Sequence, residues 1–288
     1  FVGTTVSEYA LFPPHVSARS VANECLAVLI KEKLPLMIFK DLPVDSPLLS
    51  EQENLWSQNL MGELKALGFE ILSGEALAYV PINFKTVEDY LNRLSKSRKK
   101  DLKRKLKSLA KIDVQEVDTG DVFFTQENID YLYQLYLNVY NASYIHFDLM
   151  SREFFQKIFQ DSHCPGKVFL YRVKGQEKII AFNLCFIHEN NLVDKYVGFK
   201  YPESQNYNLY FVSWFYNLDY CLRNKLNNFI AGWTDPEVKA YLGAQHTMTY
   251  HAAYVKNSLW RFILKKLKSF FEADAHILEK LKAGKNLP

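Results

Sequence analysis

The apolar positions along the chain follow two periods. Val21, Cys25, Leu26, Leu29 and Ile30 recur at helical spacing between Ser17 and Lys33, and the proline-bounded run Leu36 to Leu42 suits a short strand. Glu51 to Leu67 predicts a second helix ending at Gly68, followed by strands Phe69 to Leu72 and Ala76 to Ile82 that turn at Ser73-Gly74. Thr86 is a good N-cap for a helix running to about Ala110. At about 100° per residue, Leu91, Leu94, Leu102, Leu106 and Leu109 fall within an arc of roughly 120°, and Ser95 and Arg98 fall inside it too. Lys111 to Val117 reads as a strand, Gln126 to Asn141 as an aromatic amphipathic helix, and Ser151 caps a shorter one to about Gln160.

Three antiparallel strands follow, ending at Val173, His188 and Phe199. Strict alternation in the last puts Leu192, Asp194, Tyr196 and Gly198 on one face and Val193, Lys195, Val197 and Phe199 on the other. A long aromatic helix capped by Ser204 or Asn206 comes next, then a strand from Phe229 to Trp233. Asp235-Pro236-Glu237 opens a short helix that Gly243 stops. Thr247 to Val255 makes a final strand. Asn257 or Ser258 then caps a basic amphipathic helix expected to run beyond Phe271, with a frayed Lys-rich end to Pro288.

Composition narrows the class. In 288 residues, 48% hydrophobic and 15% aromatic content is ample for a core and argues against disorder. The formal net charge is +3, but Arg93 to Lys111 alone holds ten Lys or Arg against Asp101, so the rest of the chain is net negative. Cys25, Cys164, Cys185 and Cys221 are scattered, with no CxxC and no His at ligand spacing. Neither a disulfide framework nor a metal site is therefore expected, and a reducing, cytoplasmic compartment fits. No apolar run approaches the roughly 20 residues that span a bilayer.

The polar residues inside apolar elements are the candidates for chemistry. Asp194 and Lys195 lie in an apolar strand, as a salt bridge or as catalytic or substrate-binding groups. Arg98 either snorkels along the apolar arc or meets a carboxylate or phosphate. His146 sits with Tyr144 and Asp148 in the loop SYIHFDLM, as an ordinary loop histidine or a proton relay. The lysine-rich helix is a solvated face or a surface for a phosphate-rich partner.

From Lys111 the order is strand, two helices, three strands, helix, strand, short helix, strand. This resembles the acyl-CoA N-acyltransferase (GNAT) fold, an α/β mixed sheet flanked by helices that splays between its fourth and fifth strands, here Leu192 to Phe199 and Phe229 to Trp233. YLNRLSKSRKKDLKRKL (Tyr90 to Leu106), YVGF, and AGWTDPEVKAYLG with Lys239, Tyr241 and Gly243 resemble the branch holding the FemAB-like peptidyltransferases and the acetyltransferase-6 or BioF2-like domains. The resemblance spans Ala76 to Val255. It implies a smaller, degenerate GNAT-like half over 1–110, an acyltransferase domain over 111–275 and a basic tail over 276–288.

It also implies an N-acyltransferase that moves an acyl or aminoacyl group from an activated donor to a small-molecule or peptide amine. Acyl-CoA is the first expectation for the donor and aminoacyl-tRNA the alternative. GFKYPESQNYN lacks the usual pyrophosphate-gripping glycine pair, although backbone N–H groups at the next helix start can hold an anion. The resemblance places Lys239 near the reacting group and Arg98 on an anionic part of a substrate, with Asp194, Tyr196 and His146 as base or relay. Ser95, Gly198, Ser204, Asn206 and Gly243 complete the expected binding set. A nucleic-acid-binding module and a non-catalytic GNAT-fold binding protein are the rival readings.

Overall fold

The computed structural model describes residues 1–4, 6–13, 15–143, 149–267 and 273–282. They form two compact units, one of residues 1–78, 233–240 and 244–288 and the other of residues 79–232 and 241–243.

In the first unit, Ser17 caps α1 (Ala18–Lys31), and Ser50 with Glu53 forms a reciprocal capping box on α2 (Glu51–Ala66). Strand β1 (Leu36–Pro43) pairs antiparallel with β8 (Gln245–Val255), and β2 (Glu70–Pro81) lies on the other side of β8. Leu29, Phe39, Leu42, Leu60, Leu64 and Ala252 meet in the core. The expected turn at Ser73-Gly74 does not form, because β2 is continuous through it. A Cβ on Gly74 would lie 2.6 Å from Thr249 Oγ1 and 3.0 Å from the His251 ring. That glycine serves close approach between strands, not reversal. α9 (Pro236–Leu242) belongs to this unit through Ala240; α10 (Ser258–Lys266) ends well before Phe271, and Ala273–Lys282 forms α11 where fraying was expected.

In the second unit, β3 (Ile112–Asp118), β4 (Lys167–Val173), β5 (Ile179–His188) and β6 (Asn191–Phe199) pair antiparallel in chain order, and β7 (Asn228–Gly232) joins β6 in parallel. The sheet is mixed, as expected. α5 (Gln126–Ala142) buries Ile129, Leu132, Leu135 and Tyr136 with Phe155 and Phe159 of α6 (Arg152–Phe159) against Val168, Leu170, Phe182 and Leu184. The alternate residues of β4 serve the other face: Phe169 and Tyr171 pack on Tyr216 of α8 (Leu209–Arg223).

Two helix expectations change here. The helix from Thr86 breaks into α3 (Val87–Asn92) and α4 (Lys96–Leu106), then a 3-10 turn, Lys107–Lys111. Ser95 is the reason: its hydroxyl accepts the Arg98 N–H at 3.4 Å, a local cap that competes with helix continuation. The basic helix expected to close an N-terminal half thus lies within the second unit. Neither Ser204 nor Asn206 caps the aromatic helix, since both lie inside the short α7 (Glu203–Asn206) and α8 starts after Asn208, which is left-handed at φ 53°.

Candidate functional site

The two parallel strands of the second unit part early. β6 and β7 pair only from Asn191 to Val193 against Asn228 to Ile230. At the point of parting lies Asp194, whose Oδ2 accepts amide N–H groups of Asn183 at 2.8 Å and Asn217 at 3.0 Å, while Cys185 Sγ is 3.6 Å from Oδ1. Asn183 and Asn217 are buried, so the carboxylate is held by donors fixed on β5 and α8. Burial pushes the Cys185 thiol up, and the neighbouring Asp194 adds to that.

The shared face expected for Asp194 and Tyr196 does not exist. Leu184 pairs with Tyr196 and Cys185 with Asp194, so Lys195 is an extra residue that bulges out of the ladder. Tyr196 therefore joins Tyr136, Phe154 and Phe155 on the α5–α6 face, whereas Asp194 turns to α8. Gly198 lies with Tyr196 on that face. A Cβ there would come 2.2 Å from the Phe182 ring and 2.8 Å from Leu135 Cβ, so core packing requires the glycine. Ser204 is buried and its hydroxyl has no hydrogen-bond partner; Asn206 is exposed. His146 lies outside the described residues.

Arg98 meets the end of α9, and Ser95 caps the helix that carries it. Ser95 starts α4, and Arg98 Nη1 donates to the Tyr241 carbonyl at 3.2 Å. Tyr90 donates its hydroxyl to the Leu242 carbonyl at 2.7 Å, and burial pushes its pKa well above the ordinary range. The carbonyls that a helix terminus leaves without partners are thus met by side chains of α3 and α4. Gly243 is left-handed at φ 100°, and a Cβ on it would lie 2.7 Å from the Tyr90 oxygen. Tyr241 in turn donates to Asp101 at 2.7 Å; that bond, with Arg104 and Lys105, holds Asp101 far below the usual carboxylate range. Much of the positive charge of α4 is matched: Lys99 and Lys103 pair with Glu88, and Lys105 pairs with Asp101 and lies over the Phe211 ring.

In the first unit, Lys239 is 6% exposed and donates to the carbonyl of Trp233, the residue that follows β7. Ala244 N–H bonds back to the Lys239 carbonyl at 2.9 Å, the six-to-one closure of a Schellman motif. The backbone around this lysine is therefore fixed. His246 feels its charge: burial first, and Lys239 second, lower that imidazole to about 4.

A second polar cluster in this unit has no counterpart in the sequence reading. The β1–β8 register shifts between Phe39 and Leu42, so Lys40 and Asp41 together oppose His251. Asp41 is left-handed at φ 55° and fully buried, and neither carboxylate oxygen has a hydrogen-bond partner. Lys40 Nζ stands 3.5 Å from Oδ2. Burial pushes the Asp41 carboxyl up to about 6 against the pull of Lys40 and His251. Burial acts on Glu75 too, but the hydrogen bond and charge of His251 outweigh it and leave that carboxyl lowered. The ligand-capable atoms of Asp41, Glu75 and His251 lie within 4.8 Å of one another. His251 Nδ1, however, accepts the Asp41 N–H at 3.1 Å, and Nε2 lies 3.3 Å from Glu75 Oε2. Nδ1, occupied by that N–H, offers no lone pair to a metal. Nothing local in the sequence marks this cluster, whose members come from three strands.

No helix among the described residues is long and apolar enough to cross a membrane. The search against curated proteins found no match. Among solved structures, the chain is similar to the C-terminal domain of a protein named as a lysylphosphatidylglycerol synthetase from Agrobacterium fabrum (TM-score 0.59, 12% identity, 90% of this chain and 77% of that one). L-PGS from Bacillus licheniformis gives a TM-score of 0.58 at 12% identity over 86% and 77% of the two chains, and FemX gives 0.55 at 11% over 92% and 85%. At these identities the likeness shows the fold, which is the GNAT-like one. The family comparison reaches further: residues 37–284 match the FemAB-like family, described as peptidoglycan biosynthesis/recognition, over most of the chain. The chain belongs to the FemAB-like family, an acyl or aminoacyl transferase as the sequence led us to expect.

Proposed function

We propose that this protein transfers an aminoacyl group from aminoacyl-tRNA to an amine on a peptidoglycan precursor or an aminoacyl-accepting lipid, in the cytoplasm. The observation that carries the reading is the parting of β6 and β7 at Asp194, in a chain of this family. The neutral acceptor amine attacks the ester carbonyl, a C–N bond forms, the C–O bond to the tRNA ribose breaks, and the proton lost by the amine ends on the departing ribose oxygen. Asp194, immobilised by two amide donors, orients the amine by accepting one of its N–H groups. Lys239, held on a fixed turn and already bonded to a carbonyl oxygen, is the family resemblance's candidate for an ammonium that stabilises an oxyanion. Arg98 is a positioning residue, since its guanidinium secures the end of α9. Exposed Lys96, Lys100 and Lys107 of the basic segment meet tRNA phosphates, so donor affinity falls steeply with salt.

The test supplies radiolabelled aminoacyl-tRNA with an amine-bearing peptidoglycan precursor or an amine-bearing lipid, and acyl-CoA in a parallel arm. Labelled acceptor is expected from the tRNA arm, with Lys239→Ala cutting turnover by about a hundredfold while the chain stays folded. Transfer from acyl-CoA alone would replace the proposed donor. Full turnover in Lys239→Ala would remove that residue from the mechanism.

A further inference from the structure

Helix α10 shows the wrong face to water. Leu259, Trp260 and Phe262 are 64%, 61% and 55% exposed, and Leu267 just beyond the helix is exposed as well. Arg261, by contrast, is turned inward, stacking over Tyr254 at 4.4 Å and donating to the Val255 carbonyl at 2.9 Å. None of the helix's residues is buried. A helix that packs its arginine and exposes its tryptophan, phenylalanine and leucine is not folded for solvent alone.

The surroundings extend the patch. Lys256 N–H bonds to the Pro35 carbonyl at 3.0 Å and Leu36 pairs with Val255, which brings exposed Leu34 and Leu36 to the start of α10. Its charge is of one sign along the helix: Lys256, Lys265 and Lys266 are exposed, and no acid occurs from Lys256 to Leu267. Glu32, whose carboxylate lies 4.0 Å from Lys31, is the acid on the neighbouring loop. Lys266 reaches over the Phe262 ring at 4.8 Å, an ammonium beside the apolar face.

We propose that α10 is a peripheral membrane anchor, which lies in the headgroup region of an anionic bilayer with Leu259, Trp260 and Phe262 inserted and Lys256, Lys265 and Lys266 on the lipid phosphates. Apolar side chains flanked by lysines, with an indole whose N–H can remain among headgroups, match that occupant in both polarity and charge. Another protein surface would have to bring its own acids to meet the lysines. The inference does not rest on the donor or acceptor proposed above, and vesicle binding is measured without turnover.

The whole chain is centrifuged with phosphatidylglycerol-containing vesicles and with pure phosphatidylcholine vesicles. Binding is expected to the anionic vesicles and not to the zwitterionic ones, with a blue shift of Trp260 emission. The variant L259S/W260S/F262S, altered only at exposed positions, should keep its Tm and lose vesicle binding. K265Q/K266Q should weaken binding by roughly thirtyfold. Equal binding to both vesicle types, or anionic binding that survives the triple serine variant, would overturn the proposal. So would a wild-type dimer that ignores vesicles and is dispersed by the same variant, because the face would then be covered by a second copy.

Discussion

Asp194 and Asp41 are both carboxylates set among apolar strands, and their surroundings differ in one respect. Asp194 is met by the amides of Asn183 and Asn217, whereas Asp41 is buried with neither oxygen hydrogen-bonded and an ammonium 3.5 Å away. Both sit where a strand carries an extra residue: Lys195 on β6, and the Lys40-Asp41 pair on β1. A bulge re-aims a side chain, but whether that side chain is then a stabilising or a costly group depends on what the next layer supplies. Behind Asp194 there is α8 with a buried asparagine. Behind Asp41 the nearest polar groups are Lys40, Glu75 and His251, two of them carrying charges of opposite sign.

The comparison can be broken first at Asp194. Asp194→Ala leaves two buried amides without an acceptor and should cost about 3 kcal/mol in urea-induced unfolding. A cost under about 1 kcal/mol would mean that the asparagines find other partners and the contrast with Asp41 is empty. The next effect has the opposite sign. Because the folded-state carboxyl of Asp41 titrates near 6, above its unfolded value of about 4, its contribution is most favourable below pH 4 and is lost as pH rises through 6. Asp41→Asn should therefore match the wild type near pH 4 and exceed its stability by about 2 to 3 kcal/mol at pH 7. Parallel stability curves for the two proteins across that range would contradict it.

The smallest effect tests whether Lys239 carries its charge inward. Since burial and Lys239 together depress His246 to about 4, Lys239→Met should move the His246 titration upward, read from its imidazole proton resonance. An unmoved resonance would place the ammonium elsewhere.

Much of the fold was legible along the chain because its signals are local. Caps at Thr86, Ser151 and Asn257 are seen where their side chains begin helices, and Gly243 stops α9 in a left-handed conformation. The errors arise where a short-range signal has two meanings. Ser95 looked like part of an apolar arc and is a cap; Ser73-Gly74 looked like a turn and is a strand in close contact with Thr249. Alternation in β6 misplaced Tyr196 because a single bulged residue exchanges the faces on either side of it.

Sequence alone therefore determined most of the helices and strands, their order and the family. Those depend on spacing, capping and composition within a few residues. Only the tertiary structure decided that Asp194 has two amide partners and Asp41 none, that Arg98 secures a helix end, and that α10 turns its aromatic side chains outward. Each of these depends on which residue, far away in the chain, stands within about 3 to 4 Å, and a hydrogen bond or a packed ring is decided at that distance.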